Sequence, residues 1–386
     1  MSRSRVALVV IVLAQFMATS LWFTPNAVMP GLSAAWSATT QQIGSLTSSV
    51  QLGFIAGTLI FAVSGMADRW RASRIFLVSA LSGALANGLF VFSGGLETGL
   101  VWRFVTGLCL AGIYPVGMKL VASWAPERKG FALGWLVGML TLGTAFPHLM
   151  RSLGPGWGWQ PVVLASSVLA VIAGLMVAWL GDGPGLPASG RFDWRGAARA
   201  FRRPDFRAAA LGYFGHMWEL YAVWSLAPLL VAGSLGTLQT DPALVSFATF
   251  AFIASGTVGC VLGGVLSRQF GSARVAFVAL SVSGLMCLSW PWLGELPSWL
   301  ALVLLLVWGM AVIADSPQFS ALAAAAAPAE SVGSALAIMN SIGFALTVVS
   351  IQLTAGFWLT LDAGVTWLLV IGPVLGLVSL RPLCRR

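Results

Sequence analysis

Twelve long apolar runs follow one another along the chain, and they constrain its fold more than any other feature. A helix needs about 20 mostly apolar residues to cross a bilayer. With 9% charged residues, against about 25% in soluble domains, the chain has too little polar surface for a water-soluble globule. The pattern predicts an all-α membrane protein with twelve transmembrane helices. The runs lie at 6–30, 43–65, 75–93, 98–122, 130–152, 160–181, 208–232, 243–266, 275–292, 298–322, 331–356 and 363–381.

The loops between these runs alternate in charge. Clusters of basic residues precede the first run, follow the last, and fill every second loop between them. The opposite loops hold Glu97, Asp241, Glu295 and Asp362, with Arg151 as the one nearby basic residue. Because short basic loops stay on the cytoplasmic side, we expect both termini to be cytoplasmic. The net charge of +9 therefore indicates membrane topology and not nucleic-acid binding.

Several functional classes lack support in the sequence. The four cysteines are scattered and show neither metal-ligand spacing nor a disulfide framework. There is no nucleophile motif and no phosphate-binding loop. We therefore expect no metal, no cofactor and no enzymatic activity. The first apolar run has no convincing cleavage site, which favours an uncleaved first span over a signal peptide.

The two halves of the chain resemble each other. PERKGFALG at 126–134 and AESVGSALA at 329–337 occupy equivalent loops of the two halves. The segment 182–207, rich in Gly, Pro and Arg, separates the halves. This arrangement predicts a six-helix bundle at 1–181, a cytoplasmic linker at 182–207 and a second six-helix bundle at 208–386. A short amphipathic helix near 192–201 is expected on the inner membrane face.

Two motifs carry a resemblance to a known family. ADR at 67–69 with Arg74, and Arg103 with Gly107 and Gly112, resemble motifs of the major facilitator superfamily. The loop motif is less complete, since Ser64 and Arg71 stand where that family has glycine. The resemblance implies two pseudo-symmetric six-helix bundles and transport by alternating access. It also implies that spans one, four, seven and ten line a central cavity. The residues implied in the cytoplasmic gate are Asp68, Arg69 and Arg74.

Five ionisable residues lie deep inside the apolar runs. An ionisable side chain at the bilayer centre costs about 2.5–3.5 kcal/mol on insertion scales and is usually functional or partnered. His216 and Glu219 share a helix face. Burial favours the neutral form of each side chain, whereas their mutual attraction favours the charged forms. We expect Glu219 to be the main protonation site, tuned by His216, with Asp315 as the second candidate. The five residues are Arg103 and Lys119 in span four, His216 and Glu219 in span seven, and Asp315 in span ten.

Structural roles remain alternatives for each of these residues. Arg103 and Lys119 could extend their charges to the membrane interfaces. Asp315 could bond backbone groups near a helix break before Pro317. Glu219 could form a permanent ion pair, and His216 could be a neutral packing residue. In the resembling family, the arginine that matches Arg103 is often linked to proton movement.

The most consistent function is a proton-coupled secondary active transporter of the inner (plasma) membrane, with a small anionic or zwitterionic organic solute. Arg103 and Lys119 would bind an anionic group. We expect a monomer whose partners are the solute, protons and membrane lipid. A proton-driven multidrug exporter is the first alternative, and a non-transporting receptor or scaffold is the second. The other candidate solute-binding residues are Gln15, Trp22, Asn26, Tyr114, Trp218, Tyr221 and Gln318.

Overall fold

The computed structural model describes residues 3–125, 129–185 and 192–385, without the side chains of 67–68, 129–131, 237 and 294–295. In this described part, the chain forms α-helices and short 3₁₀ turns and contains no β-strand. It divides into two compact units, unit 1 (Met1–Ser189) and unit 2 (Gly190–Arg386). The boundary between them falls within the predicted linker.

Unit 1 contains ten helices among its described residues. Helix α6 continues into a 3₁₀ turn at Phe90–Phe92. The helices are α1 (Arg3–Thr19), α2 (Thr24–Ala27), α3 (Met29–Trp36), α4 (Thr40–Ser64), α5 (Met66–Arg69), α6 (Ala72–Leu89), α7 (Leu96–Leu110), α8 (Tyr114–Trp124), α9 (Lys129–Leu153) and α10 (Trp159–Leu180).

Unit 2 contains eight helices over the residues that the structure describes. Its 3₁₀ turns lie at Gly236–Thr240, Trp290–Glu295, Ala329–Ser331 and Asp362–Leu369. The helices are α11 (Trp194–Arg202), α12 (Pro204–Ser234), α13 (Pro242–Phe270), α14 (Ser272–Ser289), α15 (Ser298–Ala314), α16 (Ser316–Ala326), α17 (Val332–Leu361) and α18 (Ile371–Cys384).

All twelve predicted runs fall on helical segments, which confirms the all-α membrane fold. Within the described residues, nine stretches are long and apolar enough to cross a membrane. One of them, Ala329–Cys384, contains both α17 and α18. The first predicted span is not among the nine because it is broken into short helices. The seventh, in α12, is absent because its polar side chains lower its hydropathy.

Three of the predicted spans are interrupted by proline-marked breaks. The breaks separate α1 from α2, α7 from α8, and α15 from α16. Pro25, Pro115 and Pro317 each occupy the first turn of the helix after a break. Proline fits that turn because its missing N–H would have no intrahelical partner there. Such breaks free backbone carbonyls inside the bundle, so each requires polar partners.

Glycines bring helix backbones into contact in both units. A Cβ at Gly107 of α7 would overlap the carbonyl of Val50 in α4. A Cβ at Gly309 of α15 would likewise overlap the carbonyl of Phe252 in α13. Small residues allow such close approach between helices in lipid. Spans two and four therefore pack closely, as do the equivalent spans eight and ten.

The linker helix α11 belongs to unit 2 and packs on protein through its small face. Gly196, Ala197 and Ala200 are buried, and a Cβ at Gly196 would overlap the side chain of Ser331. The backbone N–H of Asp193 donates to Ser334 Oγ at 2.9 Å. The small face of α11 therefore contacts the turn before α17 and α17 itself, while its position on the inner membrane face stays a prediction.

Candidate functional site

A histidine and an aspartate meet in the interior of unit 2. His216 Nδ1 on α12 lies 2.8 Å from Asp315 Oδ1, and both side chains are fully buried. The distance is that of an ion pair, although neither atom has a well-aligned hydrogen bond. Asp315 occupies the break between α15 and α16. The imidazole packs between Tyr213 and Phe319, with ring centroids 6.0 Å away in each case.

Glu219 faces a different set of partners, on helices α14 and α15. Ser283 Oγ donates to Glu219 Oε2 at 3.0 Å, and Cys287 Sγ donates to the same oxygen at 3.4 Å. Trp308 Nε1 in turn donates to Ser283 Oγ at 3.1 Å. The carboxyl group is therefore held by one oxygen through a short chain of neutral donors.

Five buried polar atoms of this cluster have no hydrogen-bond partner among the described residues. They are Glu219 Oε1, both ring nitrogens of His216 and both carboxyl oxygens of Asp315. The free oxygen can take a proton without loss of the Ser283 and Cys287 contacts, since those involve only Oε2. The imidazole can likewise exchange a proton at Nε2 while Nδ1 faces Asp315. The arrangement has the groups required for proton exchange inside an apolar bundle.

Arg103 forms the corresponding buried centre in unit 1, with neutral partners. Its Nη1 donates to the carbonyl of Leu21 at 3.0 Å, to Asn87 Oδ1 at 3.0 Å and to Thr24 Oγ1 at 3.3 Å. Its Nη2 donates to the carbonyl of Trp22. The guanidinium thus binds carbonyls that the break between α1 and α2 leaves without helical partners.

Asn87 extends this network to a third part of unit 1. Its Oδ1 accepts from Arg103 and also from Thr24, the latter at 3.0 Å. Its Nδ2 donates to the carbonyl of Val163 at 2.9 Å and to Ser167 Oγ at 3.0 Å, both on α10. The network therefore fixes the break in the first span against α6, α7 and α10.

The polar candidates of the first span are all buried. Trp22 Nε1 donates to Gln51 Oε1 at 3.1 Å, and Asn26 Oδ1 accepts from Thr47 at 2.9 Å. Gln15 is fully buried, and neither of its amide atoms has a hydrogen-bond partner among the described residues. A buried amide without partners is costly, so Gln15 is the strongest candidate in unit 1 for contact with a polar ligand.

The remaining candidates occupy varied environments. Tyr221 is buried, and its ring packs against Trp224 and Phe344. Trp218 Nε1 donates to the carbonyl of Leu368 at 2.9 Å. Three others, the buried Gln318 and the half-buried Tyr114 and Lys119, lie on the second helices of broken spans.

The predicted gate lies at the turn between α4 and α6. Arg69 and Arg74 are exposed, and the backbone around Asp68 forms the short helix α5. The side chain of Asp68 lies outside the described residues. The role of all three residues in gating stays a prediction.

Several residues of the two networks were not anticipated from the sequence. Ser283, Cys287 and Trp308 surround Glu219, while Thr24 and Asn87 surround Arg103. Asn87 could have been predicted as a candidate, because amide side chains are uncommon inside apolar runs. Serine, cysteine and tryptophan are common in the apolar runs of this chain, so nothing distinguished these three.

Within the described residues, no group of three or more His, Cys, Asp or Glu side chains could hold a metal ion.

Comparisons with known proteins agree with the helical architecture. Residues 11–351 match the model of the Major Facilitator Superfamily. The chain is 29% identical over 178 residues to the niacin transporter NiaP of Acinetobacter baylyi, covering 43% of this chain and 38% of the relative. It is 29% identical over 190 residues to the inner membrane metabolite transport protein YgcS of Escherichia coli, covering 48% and 40%.

A third relative is the 4-hydroxybenzoate transporter PcaK of Pseudomonas putida. It is 25% identical over 172 residues, which cover 43% of this chain and 36% of the relative. In all three cases the chain spans less than half the length of the relative that it matches.

Proposed function

Because the chain belongs to the Major Facilitator Superfamily, which confirms the expectation from its motifs, we propose that it is a proton-coupled secondary active transporter. It moves a small anionic or zwitterionic organic solute across the inner membrane by alternating access. It works as a monomer of two six-helix bundles with both termini cytoplasmic. The observation that carries the proposal is the fully buried cluster of Glu219, His216 and Asp315.

The names of the relatives support the class of solute. Niacin and 4-hydroxybenzoate are small aromatic molecules with one carboxyl group, and they are the solutes named for two of these relatives. Lys119 is the cation of span four proposed to face such a carboxylate, with Tyr114 on the same helix. Gln15 would supply the neutral polar contact. The name of YgcS supports an inner-membrane location.

The cluster in unit 2 supports coupling to protons. A carboxyl group inside an apolar bundle is stable when it is protonated or paired. Glu219 has neutral donors on Oε2 and no partner on Oε1, so a proton on Oε1 would neutralise the carboxyl group without loss of the Oε2 contacts. His216 and Asp315 share a contact that one transferred proton would change from a charged to a neutral pair. We therefore propose Glu219 as the main protonation site, and we propose Asp315 as the partner of His216 in place of Glu219.

Arg103 takes a different role in this proposal. Its guanidinium already donates to two carbonyls, a hydroxyl and an amide oxygen. A direct solute contact would cost some of these bonds. Arg103 is therefore proposed to act on transport by fixing the first span, which carries Trp22 and Asn26, and not by binding solute or carrying protons.

The test is transport by the purified full chain in sealed liposomes with an imposed pH gradient. A thermal-shift screen of small anions, zwitterions and cations, with niacin and 4-hydroxybenzoate as first probes, identifies the solute. The wild-type protein should accumulate it and show solute-dependent proton flux. Glu219→Gln should still be stabilised by the solute but should lose accumulation. The matched control is Glu330→Gln, which makes the same change at an exposed carboxylate.

Each alternative has its own outcome in this assay. Accumulation by Glu219→Gln at the wild-type level would reject the assignment of the protonation site. Stabilisation by large organic cations, with their gradient-driven export, would identify a multidrug exporter. Solute movement without proton flux would show uniport. Solute binding without any movement would favour a receptor.

A further inference from the structure

Unit 2 has an apolar groove on its outer surface, between α13, α14 and α15. Its volume is about 470 Å³, within the range of about 300–1,000 Å³ that is typical of pockets for small organic ligands. Every lining side chain is apolar except that of Arg274. The groove is separate from the buried cluster around Glu219, none of whose residues lines it.

Small residues form the floor of the groove, and large exposed side chains form its walls. Gly259 and Gly263 of α13 lie so close to α15 that a Cβ would crowd the backbone of Met310 or of Ala314. On the walls, Leu262 is 50% exposed and Val278 is 61% exposed. The groove therefore opens sideways, towards the surroundings of the helices, and whatever lies along its floor must be apolar.

Arg274 marks one end of this groove. It is exposed and stands in the first turn of α14, directly after the end of α13 at Phe270. The alternation of the helices brings the start of α12 and the end of α18 to this same end of unit 2, and both carry arginines. Phe270 and Arg274 both line the groove. The groove thus combines an apolar channel with a positive end, and no acidic side chain lines it.

We propose that this groove binds one anionic phospholipid, with an acyl chain along its floor and the phosphate on Arg274. An acyl chain gains little hydrophobic free energy by leaving the bilayer for an apolar groove, since both are apolar. Retention must therefore depend on the headgroup. A guanidinium binds phosphate through charge-assisted, often bidentate hydrogen bonds. Basic pockets between membrane helices suit anionic headgroups for this reason.

Native mass spectrometry of the full chain in detergent, titrated with phosphatidylglycerol or phosphatidylethanolamine, tests the site. The first phosphatidylglycerol should bind about fivefold more tightly than phosphatidylethanolamine, the equivalent of roughly 1 kcal/mol for one basic contact. Arg274→Gln should remove this preference. Val278→Trp, which fills the groove, should weaken binding of both lipids.

Two control variants make the result specific. Arg385→Gln removes an exposed arginine at the same end of unit 2, and Val258→Trp adds a tryptophan at an exposed position of α13 outside the groove. Both should bind lipid like the wild type. An unchanged preference in Arg274→Gln, or equal binding of the two lipids by the wild type, would overturn the proposal. Wild-type binding by Val278→Trp would overturn the placement of the acyl chain. If that variant fails to fold, Leu262→Trp replaces it.

Discussion

The two units bury their ionisable residues in opposite ways. In unit 1, the buried cation Arg103 is surrounded by neutral oxygens at a helix break. In unit 2, two acids and a histidine lie close together, and Asp315 again occupies a break. Glu219 Oε1 and His216 Nε2 lack a partner among the described residues. A charge bound to several carbonyls stabilises one arrangement of the chain. Acid and imidazole atoms without hydrogen-bond partners would leave room for proton exchange in the proposed function.

We propose that this difference separates a structural role in unit 1 from a coupling role in unit 2. The carbonyls around Arg103 cannot change their protonation, so the network has one favourable state. In the proposed function, the cluster in unit 2 is the part that exchanges protons during transport. The predictions that follow test this division, first in unit 1 and then in unit 2.

The largest effect is expected from Arg103→Leu. It leaves the carbonyls of Leu21 and Trp22 and one oxygen of Asn87 without their charged donor, at about 1–3 kcal/mol for each buried acceptor. We expect the protein to lose about 3–5 kcal/mol of stability, seen as a large fall in the thermal unfolding temperature in detergent. Arg103→Lys should recover only part of this, because an ammonium group cannot reproduce the planar fork of the guanidinium.

The control for this substitution is Arg71→Leu, at an exposed arginine of the same unit. Its unfolding temperature should equal that of the wild type. If Arg103→Lys were as stable as the wild type but failed to couple solute to protons, the structural role of Arg103 would be wrong.

The second prediction concerns the pairing inside unit 2. A double-mutant cycle with His216→Ala and Asp315→Ala should give a coupling energy of about 1–3 kcal/mol, as residues in one buried network do. The same cycle with His216→Ala and Glu219→Ala should give a smaller value. Chemical or thermal unfolding of the four proteins of each cycle provides the measurement. A larger coupling in the second cycle would restore the pairing expected from sequence.

The sequence predicted which ionisable residues are buried better than it predicted their partners. Glu219, His216, Asp315 and Arg103 stood out because ionisable side chains in long apolar runs are costly. Residues three apart on a helix share a broad face, but their side chains differ in direction by roughly 60° at 3.6 residues per turn. His216 therefore reaches the break after α15, whereas Glu219 reaches α14. Periodicity within one helix carries no information about which neighbouring helix each side chain meets.

The helical architecture was predictable for a related reason. Run length and the alternation of basic loops depend on local composition, so the apolar segments could be placed from sequence. The break after α1 was not anticipated, although Pro25 marks it, because the apolar run continues across it. Arg103 binds backbone carbonyls that this break leaves without helical partners. Because the break was not predicted, these partners of Arg103 were not predicted either.

The third prediction concerns the support of Glu219. Ser283→Ala removes the donor to Glu219 Oε2 and the acceptor for Trp308 Nε1. Interhelical hydrogen bonds in membranes average about 0.6 kcal/mol, with a maximum near 1.7, so we expect a loss of about 1 kcal/mol. The pH dependence of transport should also change, because the Glu219 carboxyl group loses one of its two donors. Ser281→Ala, on the same helix with only a backbone acceptor, should change neither stability nor pH profile.

The smallest effect is expected where charges are exposed, at the loop before α17. Arg199 lies 3.2 Å from Asp193 and 3.8 Å from Glu330, and all three side chains are at least 37% exposed. Exposed pairs typically contribute about 0–1 kcal/mol, so Arg199→Ala should change the unfolding temperature little. Gly196→Leu on the same helix should cost more, because its side chain would meet Ser331. If Arg199→Ala proved the more damaging, the charges of α11 and not its small face would hold it on unit 2.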